Sequence, residues 1–112
     1  MPTTLPNEWF MWQGNVLIAK EAILLNEDLS INDLTGMTAI LKVWKGTPNS
    51  VYFSNVGLNV PAPQSQGKVI WTVGINDGAA LNAGSYVAEI TVTDASGYEE
   101  TYQIPLVVGP NA

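Results

Sequence analysis

Apolar residues along this chain recur mostly with a period of two, in short runs rich in Val, Ile, Thr and aromatics, and Gly, Asn, Asp and Pro clusters separate the runs. Ser85 to Thr93 alternates most regularly. Tyr86, Ala88, Ile90 and Val92 share one face, with Ser85, Val87, Glu89, Thr91 and Thr93 on the other. Met37 to Lys45 divides the same way, with Ala39, Leu41 and Val43 against Ile40, Lys42 and Trp44. In Lys68 to Gly74 the face formed by Val69, Trp71 and Val73 opposes Lys68, Ile70 and Thr72. Further strands are predicted at Glu8 to Gln13, at Val51 to Phe53 (an edge strand) and at Tyr98 to Val108. Val16 to Leu25 reads as a strand, with a helix as the competing assignment because Ala, Leu and Lys tolerate both states.

The punctuation between runs has its own chemistry. Asp94-Ala95-Ser96-Gly97 predicts a hairpin loop with Gly97 at positive φ. Pro61 and Pro63 exclude a central strand, so residues 54 to 66 are expected to be irregular. Pro105 interrupts the last strand and must sit where no ladder donor is needed. Asn82-Ala83-Gly84-Ser85-Tyr86-Val87-Ala88 has the spacing of a tyrosine corner, in which the ring packs in the core and the hydroxyl bonds nearby backbone. About seven strands in about a hundred residues point to an all-β fold, an immunoglobulin-like antiparallel β-sandwich, with a small barrel as the alternative. The expected organisation is one domain over residues 1–112, with 1–14 as an aromatic-rich N-terminal strand or arm.

Composition narrows the function classes. Of 112 residues 46% are apolar, so a core can form, and only 12% are charged, about half the usual share. A surface so poor in charge suits a protein largely covered in an assembly. The net charge is −6, and the cations are Lys20, Lys42, Lys45 and Lys68 alone. Nucleic-acid binding needs clustered cations to displace counterions from phosphates, so it is excluded. Without Cys or His there are no disulfides, thiolates, Cys/His zinc sites or the usual general base. Met1 to Asn7 has neither a basic residue nor an apolar run, so no secretory signal is read there. No apolar run reaches transmembrane length, and no membrane partner is expected.

Candidate chemistry is sparse. Glu99 and Glu100 are adjacent, so on a strand they point to opposite faces and cannot form a glycosidase pair. Asp77 and Asp94 occupy turn positions, where local hydrogen bonding accounts for them better than calcium does. Ser50, Ser65 and Ser96 have no His to activate them. The expectation is therefore no enzyme activity, no cofactor and no metal.

The residues that call for a function are apolar. Trp9, Phe10, Met11 and Trp12 are consecutive, so a strand there shows apolar groups on both faces. If Ala39, Leu41 and Val43 fill the core, Ile40 and Trp44 face outward beside Lys42. Trp9, Phe10, Met11, Trp12, Ile40 and Trp44 are the candidate interface. The competing reading is that the first segment crosses the sandwich end and covers its own core.

Asp33-Leu34-Thr35-Gly36-Met37-Thr38-Ala39-Ile40-Leu41-Lys42-Val43 resembles the opening of Ig-like domains in tailed phages, including the N-terminal domain of phage baseplate upper proteins. Gly67-Lys68-Val69-Ile70-Trp71, then Ala83-Gly84-Ser85-Tyr86-Val87-Ala88-Glu89-Ile90, then Asp94 to Tyr102 with Gly97, resemble that family's later strands in order. The resemblance spans residues 33 to 108. Two features depart from it: Ile104 intervenes before Pro105, and Trp9 to Trp12 match nothing in the family. The resemblance implies a structural protein of the virion, in capsid or tail, whose partners are other virion proteins and further copies of itself. It carries no catalytic residues. Two other classes compete. A carbohydrate- or receptor-binding module would present Trp44, Tyr52 and Tyr98 as an aromatic platform, and a bacterial adhesion or solute-binding module would usually carry an export signal.

Overall fold

A computed structural model describes residues 3–5, 8–14, 18–26, 28–74 and 81–110. The eight strands among them are β1 (Thr3–Thr4), β2 (Trp9–Trp12), β3 (Ala19–Ile23), β4 (Thr38–Trp44), β5 (Val51–Gly57), β6 (Lys68–Thr72), β7 (Gly84–Thr93) and β8 (Glu99–Gly109). The larger sheet runs β1-β8-β7-β4-β5, with β2 also on β8, and β3 pairs with β6 in a second, two-stranded sheet. The fold is an all-β, immunoglobulin-like sandwich.

Period-two alternation places the core. Tyr86, Ala88, Ile90 and Val92 of β7 are all buried, as are Ala39, Leu41 and Val43 of β4 and Val69, Trp71 and Val73 at β6. Tyr102, Ile104, Leu106 and Val108 supply the matching face of β8, and the two sheets close on one hydrophobic cluster. Trp71 is its largest fully buried side chain, with the rings of Trp9 at 5.7 Å and Phe53 at 5.8 Å. Its indole Nε1 finds no hydrogen-bond partner among the described residues.

The tyrosine corner forms. Tyr86 donates its hydroxyl to the Asn82 carbonyl at 2.7 Å, tying the incoming chain to the start of β7. Burial, the dominant cause, pushes the Tyr86 phenol above its ordinary pKa. The β7–β8 hairpin closes on Asp94, whose Oδ1 accepts from the Ser96 amide, the Ser96 hydroxyl and the Tyr98 amide, while Gly97 takes φ 91°.

The antiparallel rule fails at one edge. β1 and β2 both run parallel to β8, Thr3 opposite Tyr102 and Trp9 opposite Leu106. This resolves Pro105. The Gln103 carbonyl accepts from Leu5 N and the Gly109 carbonyl from Gln13 N, so alternate residues of β8 turn toward the N-terminal strands. Pro105 has the same parity, and it falls in the interval between the β1 and β2 pairings where no ladder donor is required. The N-terminal strand also reaches the second sheet: Trp9 Nε1 donates to the Glu21 carbonyl at 2.9 Å, and Lys20 Nζ donates to the Phe10 carbonyl.

Three expectations need correction. Val16 to Leu25 forms a strand only over Ala19–Ile23 within the described residues, and not a helix. The edge strand does not stop at Phe53 but continues to Gly57, because Val56 and Gly57 still pair with Leu41 and Ile40 of β4 beyond a register shift, and Asn59 then bridges to Ile70 of the other sheet. The stretch 58–66 is not wholly irregular either, since Gln64–Gln66 makes a 3₁₀ turn capped by Gly67 at φ 68°.

Candidate interaction face

The N-terminal aromatic run splits by parity. Trp9 and Met11 turn inward and are buried in the core, whereas Phe10 and Trp12 turn outward and are 40% and 42% exposed. The inward pair thus covers the chain's own core, and the outward pair stays accessible. The Phe10 and Trp12 rings meet edge to face at 5.0 Å and lie over Gly109 of β8. A Cβ at Gly109 would stand 2.9 Å from Trp12 and 3.0 Å from Phe10, so the missing side chain makes room for the pair.

Strand register extends this rim across the outside of the larger sheet. Phe10 is opposite Val107, and Val107 is opposite Ser85. The next row runs Pro105, Val87, Trp44, Val51 across β8, β7, β4 and β5. Below it lies a polar row, Gln103, Glu89, Lys42, and then Thr101, Thr91, Ile40, Gly57. The outer face is thus apolar toward one end and polar toward the other, with Lys42 and Glu89 side by side in its middle.

Ile40 stands on this face and is 40% exposed. Trp44 has the outward parity the sequence predicts, yet only 8% of it is exposed, so it is not a free aromatic. Its Nε1 donates to Glu89 Oε2 at 3.2 Å, and Gln103 Nε2 donates to the same oxygen at 3.4 Å. A carboxylate in mid-sheet holds the indole down among its neighbours. Of the six candidate residues, the folded chain therefore leaves Phe10, Trp12 and Ile40 substantially exposed, while Trp9, Met11 and Trp44 are covered within the chain. Sequence reasoning missed Val87, Pro105 and Val107. Their signal was present, because each is an apolar residue at an outward position of an alternating strand.

The aromatic platform does not assemble. Tyr52 meets the Tyr86 ring edge-on at 5.1 Å, beside Lys45 Nζ, which sits 5.3 Å from the Tyr86 ring centre. Tyr98 lies beyond the far end of β7. Seven residues of strand between Tyr86 and Thr93 put about 23 Å between those two ends. Trp44 is covered, so the three aromatics share no surface.

Acidic groups serve the turns. Asp33 Oδ1 accepts from the Thr35 amide and hydroxyl, and Asp28 Oδ1 from the Ser30 amide and hydroxyl, repeating the Asp94 geometry. These hydrogen bonds hold all three carboxyls below their ordinary pKa. Asp77 lies outside the described residues. Glu99 and Glu100 do point apart: Glu99 accepts from Thr93 Oγ1, and Glu100 accepts from the Tyr102 hydroxyl at 2.9 Å. Tyr102 also accepts from Asn32 Nδ2 at 2.6 Å. Burial and then the bond to Glu100 push the Tyr102 phenol up to about 12. Among the described residues no three acidic side chains come together to hold a metal, and no helix is long and apolar enough to cross a membrane.

No protein-family model matches this chain, and no curated protein matches it either. Solved structures do. The crystal structure of CopC from Methylosinus trichosporium OB3b is similar with a TM-score of 0.52 and 12% identity, over 96% of this chain and 89% of that one. SGBP-B of the Bacteroides ovatus mixed-linkage glucan utilization locus, in complex with a mixed-linkage heptasaccharide, is similar with a TM-score of 0.44 and 13% identity. That match covers 99% of this chain but only 23% of SGBP-B. At such identity the likeness to CopC shows a shared β-sandwich fold.

Proposed function

We propose that this domain is a non-catalytic assembly module, a structural subunit of a tailed-phage particle that is held in place by protein–protein contacts. The observation that carries the reading is the outer face of the larger sheet. A sandwich buries one face of each sheet and leaves the other to water, which favours polar residues there. Here that face instead presents Phe10, Trp12, Ile40, Pro105, Val87 and Val107. Apolar groups gathered on a surface of such low charge favour a covering partner. The phage setting rests on the resemblance of residues 33 to 108 alone. The chain offers no His or Cys for chemistry, and its turn aspartates are already engaged by neighbouring backbone and hydroxyl groups.

The test uses antibodies raised against the purified domain. Tailed particles from the source culture are probed intact by immunogold microscopy and, after disruption, by immunoblot. Labelling in stoichiometric amount is the expected result. Purified particles that contain no trace of the chain would remove the phage setting.

A further inference from the structure

We propose that the partner on the outer sheet face is a second copy of this chain, packed sheet against sheet about a two-fold axis. The inference deepens the assembly reading and rests on it.

Charge is the first argument. The chain carries −6 overall, so most pairs of surfaces from two copies repel. The outer face is an exception. Within its strands Lys42 lies directly opposite Glu89, and outside that pair the outward positions from Phe10 to Val51 are apolar, Thr, Ser, Gln or Gly until Glu99 at the hairpin end. A two-fold contact is self-complementary. An axis that sets Lys42 of one copy over Glu89 of the partner sets Glu89 over Lys42 in return. The face is nearly neutral against itself and offers reciprocal attraction at its centre.

Area is the second argument. About an axis between β4 and β7 the overlapping strands are β8, β7, β4 and β5, which span about 19 Å, and seven residues of β4 span about 23 Å, so the flat footprint is about 440 Å² per copy. Two copies would together cover about 900 Å², the size of a weak, reversible contact. About this axis Val87 and Trp44 lie beside the central Lys42/Glu89 contacts and supply apolar area, while the Phe10–Trp12 pair and the Thr-rich end form the rim. Such a contact associates weakly on its own, and repetition on a particle would strengthen it.

The competing self-contact is pairing along the open edge of β5. Two register shifts against β4 bulge that strand, and bulging blunts an edge as a template. The face is therefore favoured over the edge.

The experiment is sedimentation equilibrium on the full chain over a wide concentration range, beside Ile40→Lys, Val87→Lys and Leu29→Lys. Ile40 and Val87 lie on the face, whereas Leu29 is an exposed loop residue outside the sheets. Thermal unfolding of each variant identifies any that fail to fold. The expected result is a dimer for wild type and for Leu29→Lys, with dissociation constants raised about tenfold or more in both face variants, since each buries an unpaired cation. A wild type that stays monomeric at millimolar concentration overturns the proposal, as do folded face variants that dimerise like wild type. If the wild type is monomeric yet present in particles, the second copy is refuted while the assembly reading stands. If it dimerises as expected but no particle contains it, the phage setting falls and the dimer stands.

Discussion

Replacing Gly67 by Ala tests how the loop before β6 is built. Gly67 has φ 68°, and a Cβ there would stand 2.8 Å from the Asn32 carbonyl oxygen, 2.8 Å from Ile31 Cγ2 and 3.1 Å from the Leu24 carbonyl oxygen. Neither carbonyl can move alone. The Leu24 oxygen accepts from Asn32 N, and Leu24 N donates to the Gly67 carbonyl, so the three residues form one tied unit. Two terms add. An L residue in the left-handed region costs about 1–2 kcal/mol, and forcing a methyl against fixed backbone costs about 1–3 kcal/mol. The expected loss is thus about 2–5 kcal/mol, a large part of a typical stability of about 5–15 kcal/mol. At this chain length the melting temperature should fall by about 8–20 °C. Gly97→Ala is the internal control, because φ is 91° there and nothing lies within 4 Å of its would-be Cβ. It should show the conformational term alone, about 1–2 kcal/mol. Equilibrium urea unfolding of wild type and both variants measures the difference. Equal losses in the two variants would refute the steric argument, and a loss below about 1 kcal/mol at Gly67 would refute the whole account.

Other outcomes follow from the same structure. Trp71→Ala should cost about 3–5 kcal/mol as a cavity between the two sheets; a change below about half a kcal/mol in denaturant melts would place the ring outside the core. Tyr86→Phe should lose about 1–2 kcal/mol by deleting the bond to the Asn82 carbonyl, and an unchanged urea midpoint would show that the corner is not under load. The Tyr102 phenol, raised from 10.0 to about 12, stays protonated in the folded state when it would ionise in the unfolded chain. Its contribution is therefore complete below pH 10 and is lost as pH rises from 10 through about 12. Tyr102→Phe should flatten that part of the alkaline stability curve, and an identical curve would refute the assignment. Excess EDTA should leave the thermal midpoint unchanged; a drop of several degrees reversed by calcium would implicate Asp94 or Asp77 as ligands.

The alternating runs by themselves determined which side of each long strand is buried. Tyr86 to Val92, Ala39 to Val43 and Val69 to Val73 were legible because a strand's side-chain period is two and water accepts only one of its faces. The turn chemistry at Asp94 and the tyrosine corner were legible for a similar reason: both are local, set by residues within four positions of each other. The tertiary structure alone decided where the strands lie beside one another. That the N-terminal strand runs parallel on β8 depends on a partner about a hundred residues away, and no local period encodes a parallel pairing. The same pairing sent Trp9 into the core and Phe10 outward, a choice that four consecutive apolar residues leave open. Trp44 shows the remaining gap. Alternation gave its side of the sheet correctly, but its exposure depended on a carboxylate two strand residues from Val87 that reaches across to its indole nitrogen. Parity is a property of one strand, whereas exposure depends on the strands packed beside it.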